Sequence, residues 1–357
     1  MPAKLDVALN PRLTVSVIVP ARNEEASLET CLNSLIRQTG VDFEIIVVDD
    51  HSTDGTWSIA SSVARSAGVT KVRVIEAAPL PPGWTGKNNA VTSGARTARG
   101  EWLLFTDADT IHLPGSLARA LNEAQLHRAS MLSYSPEQIV KGFWEKAVMP
   151  VIFAELAITF RPSQVSNPNS SAAAANGQYI LVTREAYDAV GGHVAIAGNL
   201  LEDVALARRV KKSGRAIFFR FAPDAVRTRM YRTFAQLREG WTKNLALLFS
   251  SPVRLAALRM TEFVLILASL AIAIATLVRG QVRSATISGI LATVLYTLFI
   301  PRIRRAHFSW DSTLVAIFGL PLFSYLLLRS KIFHQRKSVP WKGRIYSDET
   351  NALATGH

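Results

Sequence analysis

A chain of 357 residues with 49% hydrophobic and 19% charged positions is long enough for one large domain or two ordinary ones, and it is not an intrinsically disordered polypeptide. Its 20 Gly and 16 Pro follow no G-X-Y period, which excludes a collagen-like fibre, and its single cysteine, Cys31, excludes a disulfide framework and a multi-cysteine metal site. The net charge of +13 is unevenly placed: residues 1–203 hold 16 Lys and Arg against 21 Asp and Glu, residues 204–357 hold 24 against 6, which argues against a nucleic-acid partner and, because the basic part also carries the long apolar runs, for a membrane.

The amino-terminal MPAKLDVALNPRL has no continuous apolar stretch of signal length, so the front domain is expected to stay where it is made. Thr14–Val19 is a short β-branched run ended by Pro20, and Phe43–Val48 is another ended by Asp49 and Asp50. Between them Leu28, Cys31, Leu32, Leu35 and Ile36 recur at helical spacing and give one buried face over Glu24–Gln38. Ser52–Gly68 repeats the helical signal, Lys71–Ile75 predicts a third strand, Lys87–Arg99 a helix and Trp102–Thr106 a fourth strand. Alternating strands and helices imply a mostly parallel sheet covered on both faces, with ligands at the carboxyl ends of the strands.

Acidic pairs stand at those ends, Asp49 and Asp50 after the second strand and Asp107 and Asp109 after the fourth. Either pair alone is equally explained by capping of the next turn. Two pairs at corresponding positions shift the balance, because Asp-X-Asp suits a hard divalent cation that keeps waters and accepts phosphate oxygens. A nucleoside diphosphate is the passenger such an ion implies. Neither G-x-x-x-x-G-K-[ST] nor G-x-G-x-x-G follows the first strand, so a P-loop or dinucleotide fold is not supported. Lys141–Phe160 is apolar with Trp144 and Pro150, and is read as an interfacial segment lying on the membrane, a core helix being the alternative. Gln164–Asn176 is small, polar and turn-rich, which predicts a mobile loop, either a lid over the donor or a plain connector.

Six stretches together resemble the inverting family-two glycosyltransferases of GT-A fold: V-S-V-I-V-P-A-R-N-E-E (15–25), I-I-V-V-D-D-H-S-T-D-G-T (45–56), G-K-N-N-A (86–90), A-R-G-E-W-L-L-F-T-D-A-D (98–109), G-Q-Y-I-L-V-T-R-E-A-Y-D-A-V-G-G-H (177–193) and L-E-D (201–203). They run in family order through roughly residues 14–245. The chain looks most like the membrane-attached branch that includes ceramide glucosyltransferases and hopanoid- and carotenoid-associated enzymes. The resemblance implies that Pro20, Arg22 and Glu24 border the nucleoside, that Asp50 faces the base, that Lys87 approaches the donor, and that Asp107 and Asp109 hold ribose, diphosphate and a Mg²⁺ or Mn²⁺ ion. It makes Asp203 the general base of an inverting transfer, the alternative for the Glu202–Asp203 pair being first-turn complementation of a helix over Glu202–Lys212. Glu202, His193, Arg238 and Trp241 are acceptor-side or phosphate candidates. His193 after Gly191-Gly192 has a structural hydrogen-bonding role as its alternative, and Trp241 an interfacial one. Where processive relatives carry Q-x-x-R-W, this chain has Leu237-Arg238-Glu239-Gly240-Trp241, a departure that favours addition of a single sugar.

Three apolar runs close the sequence, Glu262–Val278, Ser284–Ile300 and Ser312–Leu328, each bracketed by arginines and each near the lower limit for a membrane helix. With a cytoplasmic front domain, three full spans place the basic tail outside, against the positive-inside tendency. A re-entrant or interfacial course for one run is therefore an open alternative, and the last is the candidate because Gly319 and Pro321 interrupt it. The expected organisation is a GT-A domain over residues 1–250, α/β and Rossmann-like, followed by transmembrane helices and a basic tail over 251–357. The expected activity is metal-dependent transfer of one sugar from a nucleotide-sugar donor to a lipid or isoprenoid acceptor at the cytoplasmic face of the cell membrane. A polysaccharide synthase component and a degenerate sugar-nucleotide-binding scaffold are the competing readings.

Overall fold

The computed structural model describes residues 14–68 and 71–346, so the amino-terminal segment behind the leader expectation lies outside the described residues. In chain order the strands are β1 (Thr14–Ala21), β2 (Asp42–Asp49), β3 (Val72–Glu76), β4 (Trp102–Phe105), β5 (Thr110–His112), β6 (Met131–Ser135), β7 (Glu137–Gln138), β8 (Ile180–Thr183), β9 (Ile217–Phe221), β10 (Val226–Thr228), β11 (Val339–Trp341) and β12 (Arg344–Tyr346). The helices are α1 (Leu28–Ile36), α2 (Thr56–Ala67), α3 (Gly86–Thr97), α4 (Ser116–Leu126), α5 (Phe143–Thr159), α6 (Pro162–Val165), α7 (Arg184–Ala189), α8 (Glu202–Lys212), α9 (Phe234–Leu248), α10 (Pro252–Val278), α11 (Val282–Arg304), α12 (Trp310–Val315) and α13 (Gly319–Gln335), with 3₁₀ turns at Val194–Ile196 and Ala316–Phe318. The described chain divides into two compact units, residues 14–139 with 160–230, and Val140–Thr159 with 231–346.

The first unit is built on a seven-stranded sheet of order β3-β2-β1-β4-β8-β6-β9. β3, β2, β1 and β4 run parallel, β8 is antiparallel to both its neighbours, and β6 and β9 pair in parallel. The helical crossovers between β1, β2, β3 and β4 allow that parallel pairing, and they cover both faces. Alternate residues of a strand enter opposite cores: Val17, Val19, Ile45 and Val47 pack with Leu28, Leu32 and Leu35 of α1, while Ile18, Ile46 and Val48 pack with Ala90, Val91 and Ala95 of α3. Gly94 lets α3 approach, since a Cβ there would press on Ile18 and Val48.

Two predicted helices start four residues later than the ranges Glu24–Gln38 and Ser52–Gly68 read from the sequence, for one reason. Residues 22–25 and 50–56 interlock instead of beginning helices. Asn23, Glu24 and Glu25 donate their backbone N–H groups to Ser52 Oγ, Thr56 Oγ1 and Asp54 Oδ2, and Gly55 donates back to Glu25 Oε2. Backbone donors satisfied by side chains have no need of a helical turn. Gln164–Asn176 also departs from expectation. It is largely irregular, but Val165 and Ala173–Ala175 are buried in the second core, so its ends are packed structure rather than a free loop.

In the second unit α5 is a core helix, correcting the interfacial reading of Lys141–Phe160. Ala147 through Ile152, Ala154 and Glu155 are buried, and the exposed residues of the helix are Phe143 and Trp144 at its start and Thr159 at its end. Among the described residues three segments are long and apolar enough to cross a membrane: α10, α11, and the composite Trp310–Gln335 that the 3₁₀ turn interrupts. The composite differs from the others, with 56% of its most apolar window buried against 11% in each of α10 and α11. Within these helices four charges meet. Arg259 Nε lies 2.9 Å from Glu155 Oε1 and its Nη1 3.0 Å from Glu262 Oε2, while Arg302 Nη2 lies 2.8 Å from Glu262 Oε2.

Candidate active site

The carboxyl ends of β1, β2 and β4 gather the acidic positions together with Pro20, Arg22 and Glu24. Pro20 is half-buried at the end of β1 beside Val48 of β2. Arg22 donates from Nη1 to the backbone carbonyl of Asp50 at 2.5 Å, and Asp50 in turn donates its N–H to the Ala21 carbonyl, tying the two strand ends together. Asp50 is buried, and Asp49 Oδ2 accepts the Ser52 N–H at 3.1 Å, so Asp49 serves the turn as the capping alternative anticipated. Glu24 accepts from Ser27 Oγ and belongs to the interlocked loops.

A second group converges on Lys87, in the first turn of α3. Its Nζ lies 2.6 Å from Asp107 Oδ1, just past β4, and 2.7 Å from Glu202 Oε1, the first residue of α8. Asp203 follows at the second position of α8 and accepts the Gly177 N–H at 3.0 Å and its own helix's Val204 N–H at 2.8 Å. Gly177 sits close among the charged ends of Lys87, Glu202 and Asp203, since a Cβ there would stand 3.1 Å from Lys87 Nζ, 3.3 Å from Glu202 Oε1 and 3.5 Å from Asp203 Oδ2. Asp109 is held by its backbone carbonyl, which accepts from Thr228 Oγ1 of β10 at 3.2 Å.

What brings α3 and α8 together is Asn88, which the motif reading did not single out. Its Nδ2 reaches the carbonyls of Ile196, Ala197 and Asn199 at 2.9, 2.8 and 3.1 Å, and Thr85 N–H donates to Ala197, so the turn leading into α8 is stitched to the start of α3. The second position of G-K-N-N-A carries the charge and the third holds the partner segment. The zero exposure of Asn88, visible only in the fold, requires such partners for its amide.

Electrostatics follow from that geometry. Burial alone would push Lys87 down, but Asp107 and Glu202 overcome it and hold the ammonium well above its usual value, fully charged. Asp203 is pushed up to about 6 by burial and by the Glu202 charge, against the opposing pull of Lys87 and two backbone N–H groups. A carboxylate poised there is ionised at neutral pH yet basic enough to accept a proton. His193 takes the structural alternative. It is buried, its Nδ1 lies 3.0 Å from Tyr187 Oη, its backbone N–H donates to the same oxygen, and burial lowers it to about 4, so it stays neutral. Gly192 has a positive φ of 50° and faces the Tyr187 ring, which accounts for the Gly-Gly turn.

Arg238 and Trp241 lie in the helical unit. Arg238 is exposed on α9, whereas Trp241 is buried, donating from Nε1 to Met149 Sδ at 3.4 Å with Phe153 and Tyr231 edge-on around it. Trp241 is thus a core residue, available neither to stack on an acceptor nor to anchor in an interface. Gly240 fits flush on the Tyr231 ring, which leaves no space for the arginine of Q-x-x-R-W.

Residues 16–191 match the profile of glycosyl transferase family 2. Over 344 residues the sequence is 30% identical to a 4,4'-diaponeurosporenoate glycosyltransferase of Staphylococcus aureus strain MRSA252, covering 93% of this chain and 88% of that protein. The chain belongs to glycosyl transferase family 2. The same protein from strain USA300 is 29% identical over 343 residues with the same coverage. Among solved structures, the mannosyltransferase PcManGT from Pyrobaculum calidifontis, in complex with GDP-Man and Mn2+, superposes with a TM-score of 0.52 at 17% identity, covering 92% of this chain and 89% of that one. At that identity the likeness concerns the fold, which is GT-A, and the molecule is a glycosyltransferase.

Proposed function

We propose that this glycosyltransferase moves a single sugar, with inversion, from a UDP-sugar to a lipid or isoprenoid-type acceptor at the cytoplasmic face of a membrane. The observation that carries the reading is the convergence of Lys87, Asp107, Glu202 and Asp203 at the strand ends. Inversion needs one base. Asp203 takes the proton of the acceptor hydroxyl as that oxygen attacks the anomeric carbon opposite the leaving diphosphate. Lys87, held charged by Asp107 and Glu202, is the cation for the negative charge that grows on the diphosphate. Pro20, Arg22, Glu24 and Asp50 form the nucleoside side of the pocket.

Asp107 and Asp109 fit a divalent ion of the Mg²⁺ or Mn²⁺ kind. Both are hard oxygen donors separated by one residue, and the Asp107 side chain is 30% exposed. Such an ion, when bound, supplies electrostatic stabilisation of the leaving diphosphate. The front unit is the catalytic one in this reading, the apolar helices hold it at the membrane where an apolar acceptor resides, and the Gly240–Tyr231 contact supports single-sugar addition over processive synthesis.

The test is titration of the detergent-solubilised protein with UDP, GDP and CDP, each with Mn²⁺ and with EDTA, following thermal stability. A Mn²⁺-dependent rise with UDP is expected, and Asp109→Ala lowers that UDP affinity about 10-fold or more, the scale for loss of a ligand-orienting group at a metal. Absence of any metal-dependent rise, or undiminished Mn²⁺–UDP affinity in Asp109→Ala, overturns the donor-site assignment.

A further inference from the structure

We infer that four exposed aromatic rings in the helical unit seat it at the headgroup boundary of an anionic phospholipid bilayer. Phe143 and Trp144 open α5, Phe234 opens α9, and Phe318 ends the 3₁₀ turn inside the third apolar segment. Their ring centroids are 5.2 Å apart for Phe143–Trp144, 5.7 Å for Trp144–Phe234 and 6.4 Å for Phe143–Phe318, so three distant stretches of sequence build one continuous patch. Each ring is 40–52% exposed, although the middle of α5 behind them is core. A contiguous aromatic patch on a folded surface marks something that covers it.

The position of the patch identifies what covers it. Phe318 lies in a segment long and apolar enough to cross a membrane, whereas Phe234 begins a helix whose next turn exposes Ala235, Gln236 and Arg238. A patch reaching from a span to a polar helix start lies where hydrocarbon gives way to water, the level at which aromatic rings accumulate in membrane proteins. Charge agrees. Residues 140–159 and 231–348 carry 18 Lys and Arg against 6 Asp and Glu. Exposed Lys141 and Arg232 stand two residues before Phe143 and Phe234, and the Arg304 guanidinium sits 4.5 Å over the exposed Trp310 ring at the start of the same apolar segment. Cations among interfacial aromatics complement anionic headgroups.

The inference rests on the membrane reading of the apolar helices and is independent of the sugar chemistry. The full chain and Trp144→Phe are reconstituted in nanodiscs of phosphatidylcholine and phosphatidylglycerol, and the Trp144 emission is taken as their difference. Co-flotation resistant to carbonate checks insertion separately. Bromine placed near the carbonyl end of the acyl chains is expected to quench the Trp144 signal about twofold more than bromine near the methyl end, as for a ring at the interface. Stronger quenching from the methyl end puts the ring in the hydrocarbon and overturns the inference, as does free access of aqueous acrylamide. Shielding that persists in detergent and rises with protein concentration assigns the patch to a second copy and overturns it too.

Discussion

Each compact unit carries a cluster of buried or half-buried charges, and the two clusters are balanced differently. In the helical unit two arginines meet two glutamates, with side chains only 7–21% exposed, and the charges cancel. In the sheet unit one lysine faces Asp107, Glu202 and, through the field around Gly177, Asp203, so negative charge is in excess and Lys87 and Asp107 remain about 30% exposed. A balanced cluster in apolar surroundings cancels its own charge and links α5, α10 and α11. An unbalanced one is costly, and keeping it makes sense where a cationic ion or an accepted proton completes it. Composition alone does not separate the two; the arithmetic of sign and access does.

Removing one charge from each cluster should therefore damage different properties. Asp203→Asn is expected to lower kcat by about 10²–10⁴-fold, the range for loss of a general base, with Mn²⁺–UDP affinity nearly unchanged. Turnover at the wild-type rate would eliminate Asp203 as the base. Arg259→Ala leaves Glu155 and Glu262 short of a partner and is expected to destabilise the helical unit by about 3–5 kcal/mol. A thermal unfolding scan reads that loss, and an unchanged midpoint would show the four-charge brace to be idle. Glu202→Gln should sharpen the contrast without unfolding anything. It removes a charge that raises Asp203, so the acid limb of kcat/KM, expected near pH 6 in the parent protein, moves to lower pH. A limb that stays in place means another group sets it.

The sheet unit was largely legible because its information is local. Short apolar and β-branched runs marked β1 to β4, the Asp pairs marked the ends of β2 and β4, and the helix over Glu202–Lys212 has the expected bounds. Helix starts at residues 28 and 56 were not legible, since the bonds that displace them join residues about 30 apart. The helical unit hid more. Apolar composition gives α5 no preference between a lipid surface and a protein core, and only its neighbours among α9 to α13 decide it. Trp241 likewise has the same sequence context whether it stacks, anchors or packs, and Met149 and Tyr231 settle the matter from 92 and 10 residues away. Lone Glu155 and Glu262 in apolar stretches were the available sign of the buried brace, because an ionised group there requires a partner.

The smallest effect is the most diagnostic, because it separates a catalytic carboxylate from a capping one. Asp203 is held above its ordinary value, so the folded protein binds its proton more tightly than the unfolded chain does. That contribution to stability is complete below pH 4 and is lost as pH rises through about 6, leaving the ionised group a net cost at neutral pH. Asp203→Asn removes the cost, and at pH 7.5 the inactive variant is expected to be the more stable one, on the order of 1 kcal/mol after solvent screening. The advantage should shrink as pH falls through 6 towards 4. A carboxylate that merely complemented the α8 dipole would behave oppositely, with Asn destabilising at pH 7.5 by about 0.3–1 kcal/mol. Thermal midpoints of the two proteins at pH 7.5 and pH 4.5 therefore discriminate the roles by sign alone.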